Sequence, residues 1–178
     1  MEVYLVRHTE TVCEKGICYG QSNVDIKKPY AAIFKSIVAQ LPLHAIIYSS
    51  PLLRCLDLAN YIQNQAESNA VIQDARLMEV NFGDWEMQKW DAIAAEDLNP
   101  WMDDFVTVRV PNGESFTDLH QRVIHFMQSE LQTHVNTPII IVAHAGVIRS
   151  FLCAVSALPL QDAFQNKVDF GAVIKIEL

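Results

Sequence analysis

Arg7-His8, Ser49-Ser50 with Arg54, and His144 are the residues of this chain whose types and placement invite chemistry. Each group directly follows a short β-rich run: Glu2–Val6 (EVYLV), Ala45–Tyr48 (AIIY) and Ile139–Ala143 (IIIVA). If those runs are parallel neighbours, two imidazoles and two guanidiniums meet in one crevice. Guanidinium forks match phosphate oxygens bidentately, and helix N-termini after the strands add backbone N–H donors, so the ligand implied is a phosphate or another compact oxyanion. Singly, each residue is more simply a loop cap, a partner for one of the 21 acidic residues or a satisfied core histidine. Their joint placement at strand ends favours a site.

Known phosphate machineries are absent from the sequence. There is no G-x-x-x-x-G-K-[ST] loop, no G-x-G-x-x-G, no H-E-x-x-H and no G-x-S-x-G elbow. No cysteine is followed six positions later by arginine, since Tyr19, Val24, Tyr61 and Pro159 stand there. The remaining nucleophile is histidine, whose neutral imidazole attacks phosphorus directly.

The elements that must hold these residues read as alternating strands and helices. The three runs are apolar on both faces, as buried parallel strands are. Pro29 is placed like a first-turn proline, and Phe34, Ile37, Val38 and Leu41 follow at helical spacing, predicting a helix over 29–41. Pro51 opens a second, with Ser50 as N-cap and Leu52, Leu56, Ala59 and Ile62 on one face. A longer one spans about Glu114 to His134, with Phe116, Leu119, Val123, Phe126 or Met127 and Leu131 on its apolar stripe. Ala172–Leu178 alternates like a partly exposed strand. The pattern predicts a three-layer α/β/α fold with a mostly parallel central sheet and a ligand crevice beyond the strands' carboxyl ends. No repeat or linker-like stretch divides residues 1–178, which read as one domain.

Composition bounds the partners. The chain has 178 residues, 51% of them hydrophobic, with 13 Lys+Arg against 21 Asp+Glu, a net charge of −8. Disorder is excluded, and without a basic stripe neither nucleic acid nor an anionic membrane surface is an expected partner. The expected partner is a small phosphorylated substrate. No apolar run reaches the roughly 18 to 20 residues of a membrane span, and Met1-Glu2 leads into a short apolar run ending at Arg7, unlike a signal peptide. Cys13, Cys18, Cys55 and Cys153 form no C-x-x-C pair and read as free thiols of a cytoplasmic protein, Cys55 and Cys153 as small core hydrophobes.

Leu5-Val6-Arg7-His8-Thr9-Glu10-Thr11 resembles the Arg-His-Gly/Thr-Glu signature of the histidine phosphatase superfamily, which includes the cofactor-dependent phosphoglycerate mutases. The resemblance continues, in order, through Tyr48-Ser49-Ser50-Pro51-Leu52-Leu53-Arg54, Leu77 to Glu86 (LMEVNFGDWE) and Val142-Ala143-His144-Ala145-Gly146-Val147. Gly16 to Val24 (GICYGQSNV) and Pro111-Asn112-Gly113-Glu114-Ser115 are similar to the branch of α-ribazole-5′-phosphate phosphatases of cobalamin synthesis.

The resemblance implies a metal-independent, cofactor-free phosphomonoesterase in which His8 becomes a phosphohistidine while Arg7, Arg54 and His144 surround the phosphoryl oxygens. It places Glu79 as the proton donor to the leaving oxygen, with Glu86 as the second candidate acid. Thr9 and Gln21 are expected as neutral donors near the phosphate, and Tyr19 and Trp85 as faces on which a flat aglycone stacks. His44, His120, His125 and His134 read as surface or packing residues, and 81–100 as a candidate lid. Glu14, Asn23 and Met87 depart from the family pattern, which commonly has Asn, Asp and Gly there. Alternatives are a mutase-like transferase, a protein phosphohistidine phosphatase and a non-catalytic phosphate-binding module.

Overall fold

The computed structural model describes residues 1–66, 68, 70–134 and 137–178. Five strands, β1 (Glu2–Arg7), β2 (Ile46–Ser49), β3 (Ile72–Gln73), β4 (Ile139–Ala143) and β5 (Val173–Glu177), form one sheet in the order β3-β2-β4-β1-β5. β3, β2, β4 and β1 are parallel, and β5 adds an antiparallel edge along β1. The main helices are α1 (Ala31–Val38), α2 (Leu53–Gln65), α3 (Ala95–Asp103), α4 (Phe116–Glu130) and α5 (Ala145–Ser156).

Side-chain alternation sorts the helices to the two faces. Val6, Ile47, Ile140 and Val142 point into a core shared with Phe34 and Ile37 of α1 and Leu58, Ala59 and Ile62 of α2. Val3, Leu5, Ile139, Ile141 and Ala143 point the other way, onto Leu119, Val123 and Phe126 of α4 and Val147, Ile148 and Phe151 of α5. The three-layer expectation holds. The connection leaving β1 therefore crosses one face and that leaving β4 the other, which opens a crevice between their carboxyl ends. Among the described residues no helix is long and apolar enough to cross a membrane.

Helix boundaries differ from expectation. Pro29 lies outside α1, whose cap is Tyr30, and the end predicted at Leu41 tightens into i→i+3 bonds from Gln40 to Ile37 and Leu41 to Val38. α2 begins at Leu53: Ser50 Oγ accepts from the Leu52 N–H at 3.3 Å and meets the His144 ring at 2.8 Å, but Leu52 is extended, so the helix starts beyond it. Asn23 instead caps this helix from a distant loop, its Oδ1 accepting from the Leu53 N–H at 3.1 Å. α4 starts at Phe116, two residues after the predicted Glu114, where Ser115 and Asp118 cap it reciprocally, and ends at Glu130, the remainder towards His134 tightening into a 3-10 turn over Leu131–Thr133.

A third apolar cluster covers the strand tips. Cys18, Trp85, Ile93 and Val110 pack with Phe82, Trp90, Leu98 and Trp101, bringing residues 16–20 against 80–110. α3 and the two-residue β3 have no sufficient sequence signal; α3 carries Pro100 and no buried residue.

Candidate active site

The register of β1 on β4 sets the site. Arg7 pairs with Ala143, so His8 and His144 leave adjacent strands at one level, and their rings stand 5.2 Å apart, edge to face. His8 is 2% exposed, and its Nδ1 lies 2.8 Å from the Thr9 carbonyl. A carbonyl only accepts, so Nδ1 carries the proton and Nε2 keeps its lone pair. Burial, reinforced by Arg54, pushes the His8 pKa down to about 3. The ring is neutral in the physiological range.

His144, fully buried, is oriented from both sides. Arg54 Nε donates to its Nδ1 at 3.3 Å, which leaves Nε2–H to donate to Ser50 Oγ. Burial, Arg54 and His8 hold its pKa well below the usual histidine value.

The guanidiniums have an unusual status. Arg54, 1% exposed, donates from Nη1 to the Ser22 carbonyl at 2.8 Å and from Nη2 to the Gly20 carbonyl, without a carboxylate partner among the described residues. Arg7 donates to the Val168 carbonyl at 2.7 Å and lies 3.8 Å over the Phe170 ring, also unpaired. Arg7, His8, Arg54, Tyr19 and Glu79 line a cavity of about 180 Å³. Cations withdrawn from water without counter-ions are costly, so a cavity walled by buried Arg54 and half-buried Arg7 is built for an anion that neutralises them.

Glu79 sits where two cavities meet. Its Oε1 accepts from the Val80 N–H at 3.0 Å and its Oε2 from the Gly146 N–H, at the start of α5, at 3.1 Å. A Cβ on Gly146 would stand 2.3 Å from Oε1, so any side chain here would push the Glu79 carboxylate out of this position. The second cavity, about 220 Å³, shares Tyr19, Glu79, Phe82 and Trp90 with the first and adds Trp101, Phe105, Phe116, Phe164 and Arg149. Trp90 and Trp101 stack at 5.6 Å. Arg149, whose Nε donates to the Asn166 carbonyl at 3.2 Å, likewise has no carboxylate partner among the described residues. The arrangement places an anion pocket, a carboxylate and an aromatic pocket in sequence. Among the described residues no group of three His, Cys, Asp or Glu converges to hold a metal ion.

Five of the expected site residues, Arg7, His8, Tyr19, Arg54 and Glu79, line the anion cavity together. His144 lies behind it, holding Arg54. Thr9 is buried with its Oγ1 unpartnered and lines neither cavity. Gln21 lines neither as well; its Nε2 donates to the Glu79 carbonyl at 3.0 Å, which makes it a support for the acid. Trp85, 3% exposed, is interior to the aromatic cluster and presents no face for stacking, a role open to Trp90 and Trp101. Glu86 is excluded as an acid. Its carboxylate accepts from the N–H groups of Gly20, Gln21, Ser22 and Phe82 and from Ser22 Oγ. Burial alone would raise its pKa, but these bonds outweigh burial and lower it.

The departures find local reasons. Glu14 is exposed, Asn23 caps α2, and Met87 has φ 64°, the left-handed region that glycine enters without strain. Sequence reasoning missed Arg149, Trp90 and Trp101, as well as Arg122, which donates to the Glu79 carbonyl from α4 at 2.9 Å. Arg149 alone carried a usable signal, one helical turn beyond a strand-end histidine.

Comparison with known proteins identifies the family. A phosphoserine phosphatase 1 from Hydrogenobacter thermophilus is 27% identical over 90% of this chain and 78% of its own length. An adenosylcobalamin/alpha-ribazole phosphatase from Escherichia coli is 27% identical over 100% of this chain and 90% of its own. The crystal structure of the alpha-ribazole phosphatase from Shigella flexneri superposes with a TM-score of 0.88 at 25% identity, covering 100% of this chain and 91% of that one. The family model of the histidine phosphatase superfamily (branch 1) matches residues 3–178, and the chain belongs to that superfamily.

Proposed function

We propose that the protein is a metal-independent phosphomonoesterase that works through a phosphohistidine on His8 and hydrolyses α-ribazole 5′-phosphate to α-ribazole and phosphate. The observation that carries the reaction class is the neutral, Nε2-free His8 beside two guanidiniums without counter-ions. In the first step the Nε2 lone pair forms the N–P bond as the ester P–O bond breaks, and Glu79 gives its proton to the leaving oxygen. Water then attacks phosphorus, Glu79 recovers the proton, and the N–P electrons return to Nε2. Arg7 and Arg54 stabilise the charge on the equatorial oxygens, and His144 keeps Arg54 aimed.

The aromatic cavity next to Glu79 suits a flat leaving group, and two of the relatives bear the name alpha-ribazole phosphatase. Arg149 in that cavity favours a second reading, a leaving group carrying an anion, as in a phosphorylated hydroxy or amino acid. We place the protein in the cytoplasm on the same reading. The test is phosphate release from α-ribazole 5′-phosphate, phosphoserine, 3-phosphoglycerate and sugar phosphates, compared as kcat/KM with and without EDTA. A preference of about 10² for α-ribazole 5′-phosphate, unchanged by EDTA, is expected. A similar preference for phosphoserine selects the second reading, and loss of activity in EDTA restored by a divalent ion overturns the metal-free mechanism.

A further inference from the structure

Glu79 lies on an irregular segment, after the 3-10 turn Ala75–Leu77 and in no strand or helix. A carboxylate that protonates one particular oxygen must nevertheless be held to a fraction of an ångström, and a loop does not do this by itself. The segment is gripped from α4. Arg122 donates from Nη1 to the carbonyls of Arg76 at 2.7 Å and Met78 at 2.6 Å, and from Nη2 to the carbonyl of Glu79 at 2.9 Å. Its remaining two N–H groups bind Glu114, Nε to Oε1 and Nη2 to Oε2, both at 2.9 Å. All five guanidinium donors are used. Glu114 Oε2 accepts in turn from the Asn81 N–H at 2.9 Å, and the Asn81 carbonyl accepts from the Glu114 N–H at 2.8 Å. One ion pair therefore fixes the backbone at 76, 78, 79 and 81.

We propose that Arg122, locked by Glu114, is a positioning residue for the catalytic proton donor, and that its substitution impairs leaving-group protonation selectively. The inference rests on the reading of Glu79 as that donor. Only a planar guanidinium spans three carbonyls and a carboxylate at once; a lysine ammonium has three donors on one atom and cannot. Arg122 lines neither cavity, and its hydrogen bonds reach the site through the Glu79 carbonyl; its charge also bears on His144, an influence that Arg122→Lys retains.

The experiment compares an alkyl phosphomonoester, glycerol phosphate, whose alkoxide leaves only with a proton, with p-nitrophenyl phosphate, whose phenolate leaves without one. Wild type, Glu79→Gln, Arg122→Lys and Arg122→Met are assayed for kcat and KM, with thermal melting of each. Glu79→Gln is expected to lose about 10² to 10⁴ in kcat/KM, which reports the steps up to loss of the alcohol, on glycerol phosphate and far less on p-nitrophenyl phosphate. Both Arg122 variants are expected to show the same skew at smaller size, about 10 to 10² against less than threefold, with KM little changed. Arg122→Lys, which keeps the charge and folds more readily, guards against simple misfolding. Equal losses on both esters, or no loss on either, overturn the clamp. A skew in Glu79→Gln that is absent from both Arg122 variants defeats the clamp alone. Absence of a skew in Glu79→Gln defeats the donor role beneath it, and a wild type that cleaves neither these esters nor α-ribazole 5′-phosphate defeats the proposed function itself.

Discussion

The two walls of the site are built by opposite means. On one wall, Arg7, His8 and His144 stand at the tips of β1 and β4, and the sheet register alone brings the rings within 5.2 Å. On the other, Glu79, Phe82 and Trp90 come from turns and coil, where side chains hold the backbone: Arg122 and Gln21 on the Glu79 carbonyl, Glu86 on four N–H groups. The arginines follow the same division. Arg76, Arg109 and Arg122 are paired with acids and tie elements together, whereas Arg7, Arg54 and Arg149 have no acidic partner among the described residues and line the two cavities. A paired arginine is framework, and an unpaired one drawn into a cavity wall marks where the ligand's charge belongs.

The largest expected effect breaks this contrast most severely. Arg54→Met should lower kcat/KM by about 10² to 10³, the usual result of removing one donor to transition-state charge, while Arg109→Met, an exposed partner of Asp118, should leave it within twofold. Steady-state kinetics on the preferred monoester decides, and comparable losses in the two variants would dissolve the distinction.

The second effect concerns stability. His8 has a folded pKa near 3, below the unfolded value, so on acidification the unfolded chain takes up a proton the native ring refuses. The contribution is fully present above about pH 6.5 and is lost as pH falls towards 3, at about 1.4 kcal/mol per pH unit. Denaturant titrations at pH 7, 6, 5 and 4 should therefore show a shallower decline for His8→Asn than for wild type. Parallel curves would mean that the imidazole protonates freely in the fold.

The smallest effect lies on the loop wall. Met87 occupies the left-handed region at φ 64° with its side chain exposed, so Met87→Gly should raise stability by up to about 1 kcal/mol, read as a higher melting temperature. A lower melting temperature would show that the methionine side chain contributes more than the strain costs.

The same division explains what the sequence disclosed. β1, β2 and β4 are short, apolar on both faces and followed at once by polar residues, so their tips and the chemistry there were legible. The register that pairs Arg7 with Ala143 converts that local signal into a site without further information. The loop wall has no such periodicity. Arg122 binds carbonyls, which leave no trace in side-chain identity, and Glu86 looks like a spare acid until the four N–H groups around it are seen. Trp85, Trp90 and Trp101 are indistinguishable as letters; only packing shows that the first is interior and the other two line the cavity. Ser50 is a related case: its hydroxyl meets both the Leu52 N–H and the His144 ring, 94 residues away, while the extended Leu52 puts the helix start at Leu53.

The central claim is that His8 Nε2 takes the phosphoryl group. Rapid acid-free quenching of enzyme with phosphorus-labelled substrate, followed by gel separation at high and low pH, tests it most directly. Wild type should yield a base-stable, acid-labile phosphoenzyme that maps to His8 and is missing from His8→Ala. A covalent adduct that persists in His8→Ala, or turnover by that variant within about tenfold of wild type, would contradict the account.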